Sequence, residues 1–417
     1  MKTTKAALLL LSLAACAPSG SDSTADPAAA PRDAPGADDP PVASACPTPD
    51  PSRAPTKHEG RIGDETWTAD ASPHVIDVDV TVVGTLTIEP CAEVLIGAGK
   101  TVGVSGRIVA QGTASQRIHI GAKDAAPFAS IHATTGTLAF AYATIDGGGD
   151  PLNTLPYLAG AIDVQGADAS KPTQEVLSVD HVTIEGSKSN GIVVRDGAGF
   201  AAGSTNLVVH GAAQHPVNIW SRAAGTLPAG TYTGNAIDEI LLPATDGYEA
   251  VHESTTFHDR GVPYRVGDAG SKGDLQVVPP ATGGPLATLT IEPGVTLRFV
   301  KGGVMHVETA QTTAPARGAL VAVGTADKPI TFTSAAGSPA AGDWLGVWFG
   351  GAPDPSSRMD HAVVEFAGGS SATGSDSCTL PGIATNDAAI RVLGVPSSEL
   401  VTNTLVRASA SHGIDRG

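Results

Sequence analysis

Short blocks of sequence recur in the same order along this 417-residue chain, and that repetition constrains the fold more than any other feature. Leu86-Thr87-Ile88-Glu89-Pro90 returns as Leu289-Thr290-Ile291-Glu292-Pro293. Ala110-Gln111-Gly112-Thr113-Ala114 returns as Ala322-Val323-Gly324-Thr325-Ala326, and Ile118-His119-Ile120 as Ile330-Thr331-Phe332. Asp180-His181-Val182-Thr183-Ile184-Glu185 has a cousin in Asp360-His361-Ala362-Val363-Val364-Glu365, and Asn190-Gly191-Ile192 one in His412-Gly413-Ile414. Self-similarity on this scale is the signature of a repeat architecture. It divides the folded part into two tandem modules, 61–245 and 246–417.

A finer period runs inside the first module. Val182-Thr183-Ile184-Glu185-Gly186 is answered by Leu207-Val208-Val209-His210-Gly211, and Ile192-Val193-Val194 by Val217-Asn218-Ile219. A unit of about 25 residues, with short strands that alternate apolar and polar residues and end in Gly, Asn, Asp or Pro, is one coil of a β-solenoid. Each strand would pair with its equivalent about 4.8 Å away in the next coil. The inward Val, Ile and Leu would then stack into a core that no single coil can bury alone. Composition agrees: 50 Gly and 31 Pro supply turns, and aromatics at 4% suit a narrow interior. The competing architecture is a string of β-sandwiches, which also places strands at short intervals. The rung pattern weakens near 225–275.

The run Leu289 to Leu297 (Leu-Thr-Ile-Glu-Pro-Gly-Val-Thr-Leu), followed by Gly324-Thr325-Ala326-Asp327-Lys328-Pro329-Ile330-Thr331-Phe332, resembles the rung pattern of bacterial right-handed parallel β-helix repeat proteins. That group resembles the pectate-lyase-like fold. The resemblance implies an all-β, right-handed parallel β-helix over most of residues 75–417. It implies no particular activity, because this fold carries lyases, hydrolases, adhesins and pure scaffolds. Pro-Gly after Ile-Glu predicts a type II turn, with Gly at the positive-φ position. Cys91 stands where the second module has Gly294, so that turn must differ or be held in another way.

The amino terminus reads as an address. Lys2 and Lys5 precede a short apolar run, Ala6 to Leu13, too short for a permanent span. Leu13-Ala14-Ala15-Cys16 resembles the lipobox of bacterial lipoproteins. The resemblance implies a signal peptide over 1–15, lipidation of Cys16, attachment to a membrane and, with Ala17 next, the outer membrane. An ordinary secretory signal is the alternative. Residues 16–60 are rich in Pro, Ala and Asp with no apolar period, and read as a disordered tether.

Of the three remaining cysteines, Cys46 and Cys91 are the favoured disulfide, which would pin the tether to an early coil. Pairs using Cys378, or three free thiols, are the alternatives. No Cys or His spacing suggests zinc. Gly97-Ala98-Gly99-Lys100-Thr101 lacks the first glycine of a phosphate loop, whose place is Val94. His252-Glu253 lacks the second zincin histidine, and there is no nucleophile elbow.

Asp146, Glu185 and His210 hold equivalent positions, each ending a strand before a Gly. Their side chains point outward. Stacked, they would form an exterior stripe with four readings: a ligand groove, a Ca²⁺ site, an acid/base pair, or ordinary solvated acids. Asp180-His181 and Asp360-His361 invite a catalytic reading, but an Asp entering a turn is common. Trp67, Trp220, Trp344 and Trp348 are either caps over the core or sugar platforms. After Ile414 the repeat stops, which leaves the expectation of an uncapped final coil.

The net charge of −17 argues against nucleic acid as a partner. The leading reading is a structural, adhesive or carbohydrate-binding scaffold, with polysaccharide or another surface protein as partner and no resident cofactor. A polysaccharide lyase or glycoside hydrolase stands second, because no catalytic constellation is evident.

Overall fold

Val94, Ile120, Ile145, Ile184 and Val209 lie one above another in successive strands, each in register with the next, and all are buried. This column is the principle of the fold. A computed structural model describes residues 45–47, 52–152, 159–245, 247–268, 270–279, 285–307, 318–350, 353–371, 387–396 and 398–416. Almost all regular structure among them is short parallel strand, wound as a right-handed parallel β-helix. Ser44–Gly417 form one compact unit. Cys16, Cys378 and most of the segments read as leader and tether lie outside the described residues. The first strand, Thr56–Ile62, begins inside the segment read as tether: it pairs with His74–Val82, and Ile62 is already buried.

In the first half each coil visits three stacks. The first stack holds Glu93–Ile96, Ile118–Ala122, Ala143–Asp146, Thr183–Glu185, Leu207–His210 and Gly230–Thr231. The second holds Thr101–Val104, Ser130–Ala133, Gly160–Gln165, Asn190–Arg195, Val217–Ile219 and Ile240–Leu242. The third runs from Glu65–Trp67 to Ala198–Phe200. The 25-residue period is realised strand by strand: Ile184 pairs with Val209, and Ile192 with Val217.

Turns are built as the sequence requires. Ala92 N–H donates to the Glu89 carbonyl at 3.1 Å, and Val295 N–H to that of Glu292 at 3.3 Å. Cys91 has φ 66° and Gly294 φ 92°, so both modules make the same left-handed turn. The turn at Cys91 therefore does not differ; it is held by a disulfide to Cys46, with the two Cα atoms 5.3 Å apart.

The weakened pattern near 225–275 is a change of face. A 3-10 helix, Ser221–Thr226, takes the place of a strand in the third stack. It lies between Ala198–Phe200 and Thr255–Phe257, with Thr226 Oγ1 accepting from Phe200 N–H at 3.0 Å. Arg222 is buried, and its guanidinium donates to the carbonyls of Ala169 and Lys171, clamping a neighbouring loop onto this helix. The first stack ends at Gly230–Thr231. The second continues through Tyr264–Val266, Thr296–Phe299, Ile330–Ser334, Ala362–Glu365 and Leu405–Arg407. Thr296–Phe299 follows Glu292-Pro293-Gly294 as Glu93–Ile96 follows Glu89-Pro90-Cys91, yet the two strands lie in different stacks. The modules are equivalent in sequence and offset by one face in space. In the final coil Ile414 continues the inward column of Met305, Val347 and Ile390, and it is 46% exposed.

Candidate functional site

The outer face of the first stack carries the stripe expected from sequence. Asp146 is in register with Glu185, and Glu185 with His210. All three side chains are between 34% and 43% exposed, so the face is open to a ligand. The stripe continues through residues that sequence reading did not assign. His119 Nε2 lies 2.5 Å from Asp146 Oδ2, and its Nδ1 lies 3.6 Å from Glu93 Oε1. His210 Nε2 lies 3.3 Å from Glu185 Oε2. Neighbouring acids on adjacent coils would repel; here each has a histidine beside it. Among the described residues no group of three or more His, Cys, Asp or Glu is placed to hold a metal, so the Ca²⁺ reading of Asp146, Glu185 and His210 finds no ligand set there.

Beside this stripe runs a corner column, one residue per coil. The strand register aligns Cys91, Arg117, Tyr142, His181, Asn206 and Ala229. Tyr142, His181 and Asn206 all have positive φ, between 47° and 52°. A single left-handed residue turns the chain from the third stack into the first, a conformation Asn adopts more readily than most residues. The side chains interlock along the corner. Arg117 Nη2 donates to the carbonyls of Ala143 at 2.9 Å and His181 at 3.0 Å, bridging two coils. The Tyr142 and His181 rings stack at 4.5 Å, and His181 Nδ1 lies 2.7 Å from Asp180 Oδ1. The signal was present in sequence: each of these residues immediately precedes the first inward apolar residue of its strand.

Other candidates resolve into structure. In the second module His361 occupies the same kind of corner at φ 48°. Asp360 accepts from Thr402 Oγ1 and Asn403 Nδ2, both at 2.9 Å, and these bonds hold its carboxyl below the usual range. That pair braces one coil against the next. His252 Nδ1 lies 2.9 Å from the Val278 carbonyl, and Glu253 accepts from Thr173, so each makes a contact within the coils. Gly97 to Thr101 is a turn with Gly99 at φ 65°.

Trp67 is buried in the first coil between His58, at 4.0 Å, and His74, at 5.1 Å, as a cap would be. Trp344 is in the core, stacked on Phe299 at 4.3 Å. Trp348 points away from the core yet is only 1% exposed, with the Arg391 guanidinium 5.0 Å from its ring centre. None of these three is a surface sugar platform. Trp220 is half-buried at the start of the 3-10 helix.

Comparison with protein-family models, with curated proteins and with solved structures finds no match for this chain. The functional reading therefore rests on geometry.

Proposed function

We propose that the protein is a lipid-anchored β-helix of the bacterial cell surface or periplasm, attached through Cys16 at the outer membrane, that binds an extended polymer along the outer face of its first stack. The observation that carries this reading is the register. Five successive coils align two outward columns, Glu93–His119–Thr144–Thr183–Val208 and Leu95–Gly121–Asp146–Glu185–His210, with a stacked Tyr142–His181 pair and Asn206 at the corner beside them. Coils repeat every ~4.8 Å, so the face offers a rigid, periodic array to a ligand that is itself periodic. Rigid presentation lowers the ordering penalty on binding. The pectate-lyase-like resemblance of the rungs is consistent with polysaccharide as that polymer. The −17 charge speaks against nucleic acid.

A hydrolase is the second reading, because Asp146 and Glu185 are neighbours across one rung. That ~4.8 Å strand spacing is near the ~5 Å carboxyl separation of retaining glycosidases. Against it, both acids are paired with histidines. Incubating the protein with a panel of polysaccharides decides between the readings. Retention on a glycan without new reducing ends or unsaturated products supports the binding scaffold. Turnover that is lost in Glu185→Gln replaces it with the enzyme, and failure to retain any glycan rejects the polymer reading.

A further inference from the structure

The corner column of the first stack ends in a hollow. Coil by coil it carries Arg117, Tyr142, His181 and Asn206, and then Ala229 followed by Gly230. The four long side chains give way to a methyl group and a residue with no side chain. Gly230 cannot be larger without moving the backbone, since a Cβ there would stand 2.1 Å from the Leu207 carbonyl oxygen. The coil thus sits close under its neighbour and leaves an open pocket of about 400 Å³. That volume falls within the ~300–1,000 Å³ usual for small-molecule sites.

The pocket wall offers hydroxyl-recognition chemistry. Thr183 and Thr231 supply groups that both donate and accept, Asn206 supplies an amide, and His181 a ring nitrogen. Val208 supplies apolar surface, while Leu207 turns its side chain into the core. The His181 ring is fixed by Tyr142 on its face and Asp180 on its edge, so it needs no ordering when a ligand arrives.

Charge decides which polymer fits. Arg117 is the one Lys or Arg among the lining residues, and its Nη2 is already shared by two backbone carbonyls. Asp180 beside the pocket, and Asp146, Glu185 and Glu93 along the same face, are carboxylates with side chains between 31% and 44% exposed. A polysaccharide with an acid on each sugar would lay like charge against the whole stripe. An uncharged one meets hydrogen-bonding groups alone. We infer that this pocket is the anchoring subsite for a neutral polysaccharide and that the stripe excludes acidic ones; the inference rests on the polymer-binding reading above.

The test is affinity electrophoresis and calorimetry of the full chain with neutral polymers (dextran, laminarin, galactomannan) and acidic ones (polygalacturonate and alginate, with and without Ca²⁺). The expected result is binding to at least one neutral polymer and to neither acidic one. The variant Thr183→Val/Asn206→Gly/Thr231→Val removes three of the pocket's hydrogen-bonding side chains and leaves His181 and Arg117 in place, and glycine keeps the left-handed backbone at position 206. It should lose at least about tenfold in affinity while its circular dichroism is unchanged. Binding of polygalacturonate or alginate as tight as that of the neutral polymers overturns the inference and leaves the polymer reading standing. Full affinity in the folded triple variant overturns the pocket as the anchor. Absence of binding to every polymer overturns both readings. Should the triple variant misfold, Asn206→Gly alone carries the same comparison.

Discussion

Removing the bridge between Cys46 and Cys91 should loosen the first coils by an amount that depends on which residue replaces Cys91. The bonded residues are 45 apart in sequence. Loop-closure entropy for a loop of that size gives a stabilisation of about 4 kcal/mol. A second quantity acts at the same residue. Cys91 has φ 66°, in the left-handed region that costs a side-chain-bearing residue about 1 kcal/mol or more. Gly294 makes the equivalent turn in the second module at φ 92° without that penalty. Cys46→Ser/Cys91→Ser should therefore lose about 4 kcal/mol, and Cys46→Ser/Cys91→Gly about 3 kcal/mol. In a repeat array such losses fall on the coils next to the change rather than on the whole. Hydrogen exchange of peptides from residues 56–96 is accordingly the assay, read as the free energy of local opening. Peptides from residues 287–334 serve as the unaffected control. Equal protection in oxidised and bridge-free protein would refute the entropic argument. Equal protection in the Ser and Gly variants would refute the argument from the left-handed turn.

Four further outcomes are expected. His58 Nε2 and His74 Nδ1 share a hydrogen bond at 3.0 Å around Trp67, and burial above all holds both pKa values below the ordinary 6.5. The unfolded chain then takes up protons first as pH falls below about 6.5, so stability is full above that value and declines as pH drops toward the folded pKa values. Urea midpoints at pH 7.5 and 5 should differ in that direction, and His58→Gln should reduce the difference. Glu239 is buried between Arg265 and Arg298, so Glu239→Gln should destabilise by about 3 kcal/mol in urea unfolding. Ile184→Ala opens a cavity in a fully buried column and should cost about 3 kcal/mol by the same measurement. Cys16→Ser should move the protein from the membrane fraction to the soluble one on cell fractionation, and unchanged partitioning would remove the lipid anchor from the proposal.

Coil period, inward columns and the type II turns were legible in sequence because each depends on local pattern alone. The alternation Thr183-Ile184-Glu185 and its echo in Val208-Val209-His210 fixed both the register and the outward stripe. His119 was missed because its partner in the stripe, Asp146, is bonded through a position two residues further along its own strand, where the first module has Gly121. The corner column was missed for another reason. Arg117, Tyr142, His181 and Asn206 share no chemical type, only a place in the coil, and that place is visible only once strand ends are known. Trp348 shows another limit: Val347 and Phe349 take the inward positions of its strand, and its own burial on the outer side depends on tertiary packing that sequence does not display.

The change of face between the modules explains why the candidate site belongs to the first half alone. Ala362-Val363-Val364-Glu365 echoes Val182-Thr183-Ile184-Glu185 in sequence, and by strand order after Ile330–Ser334 it takes the place that Ala143-Thr144-Ile145-Asp146 has after Ile118–Ala122. Asp146 ends a strand of the first stack, whereas Glu365 ends one in the continuation of the second. There its neighbours are different. Glu365 accepts from Thr333 Oγ1 at 3.0 Å and from Arg407 at 2.6 Å, and its side chain is only 12% exposed. An acid spent on an arginine and shielded from water cannot offer a ligand what the 34%-exposed Asp146 offers. The 3-10 helix Ser221–Thr226, by replacing a strand, marks the point where that divergence begins. In the same coil the first stack reaches its last strand, Gly230–Thr231, which borders the hollow beside Asn206. The same junction that ends the stripe is therefore what leaves the pocket open.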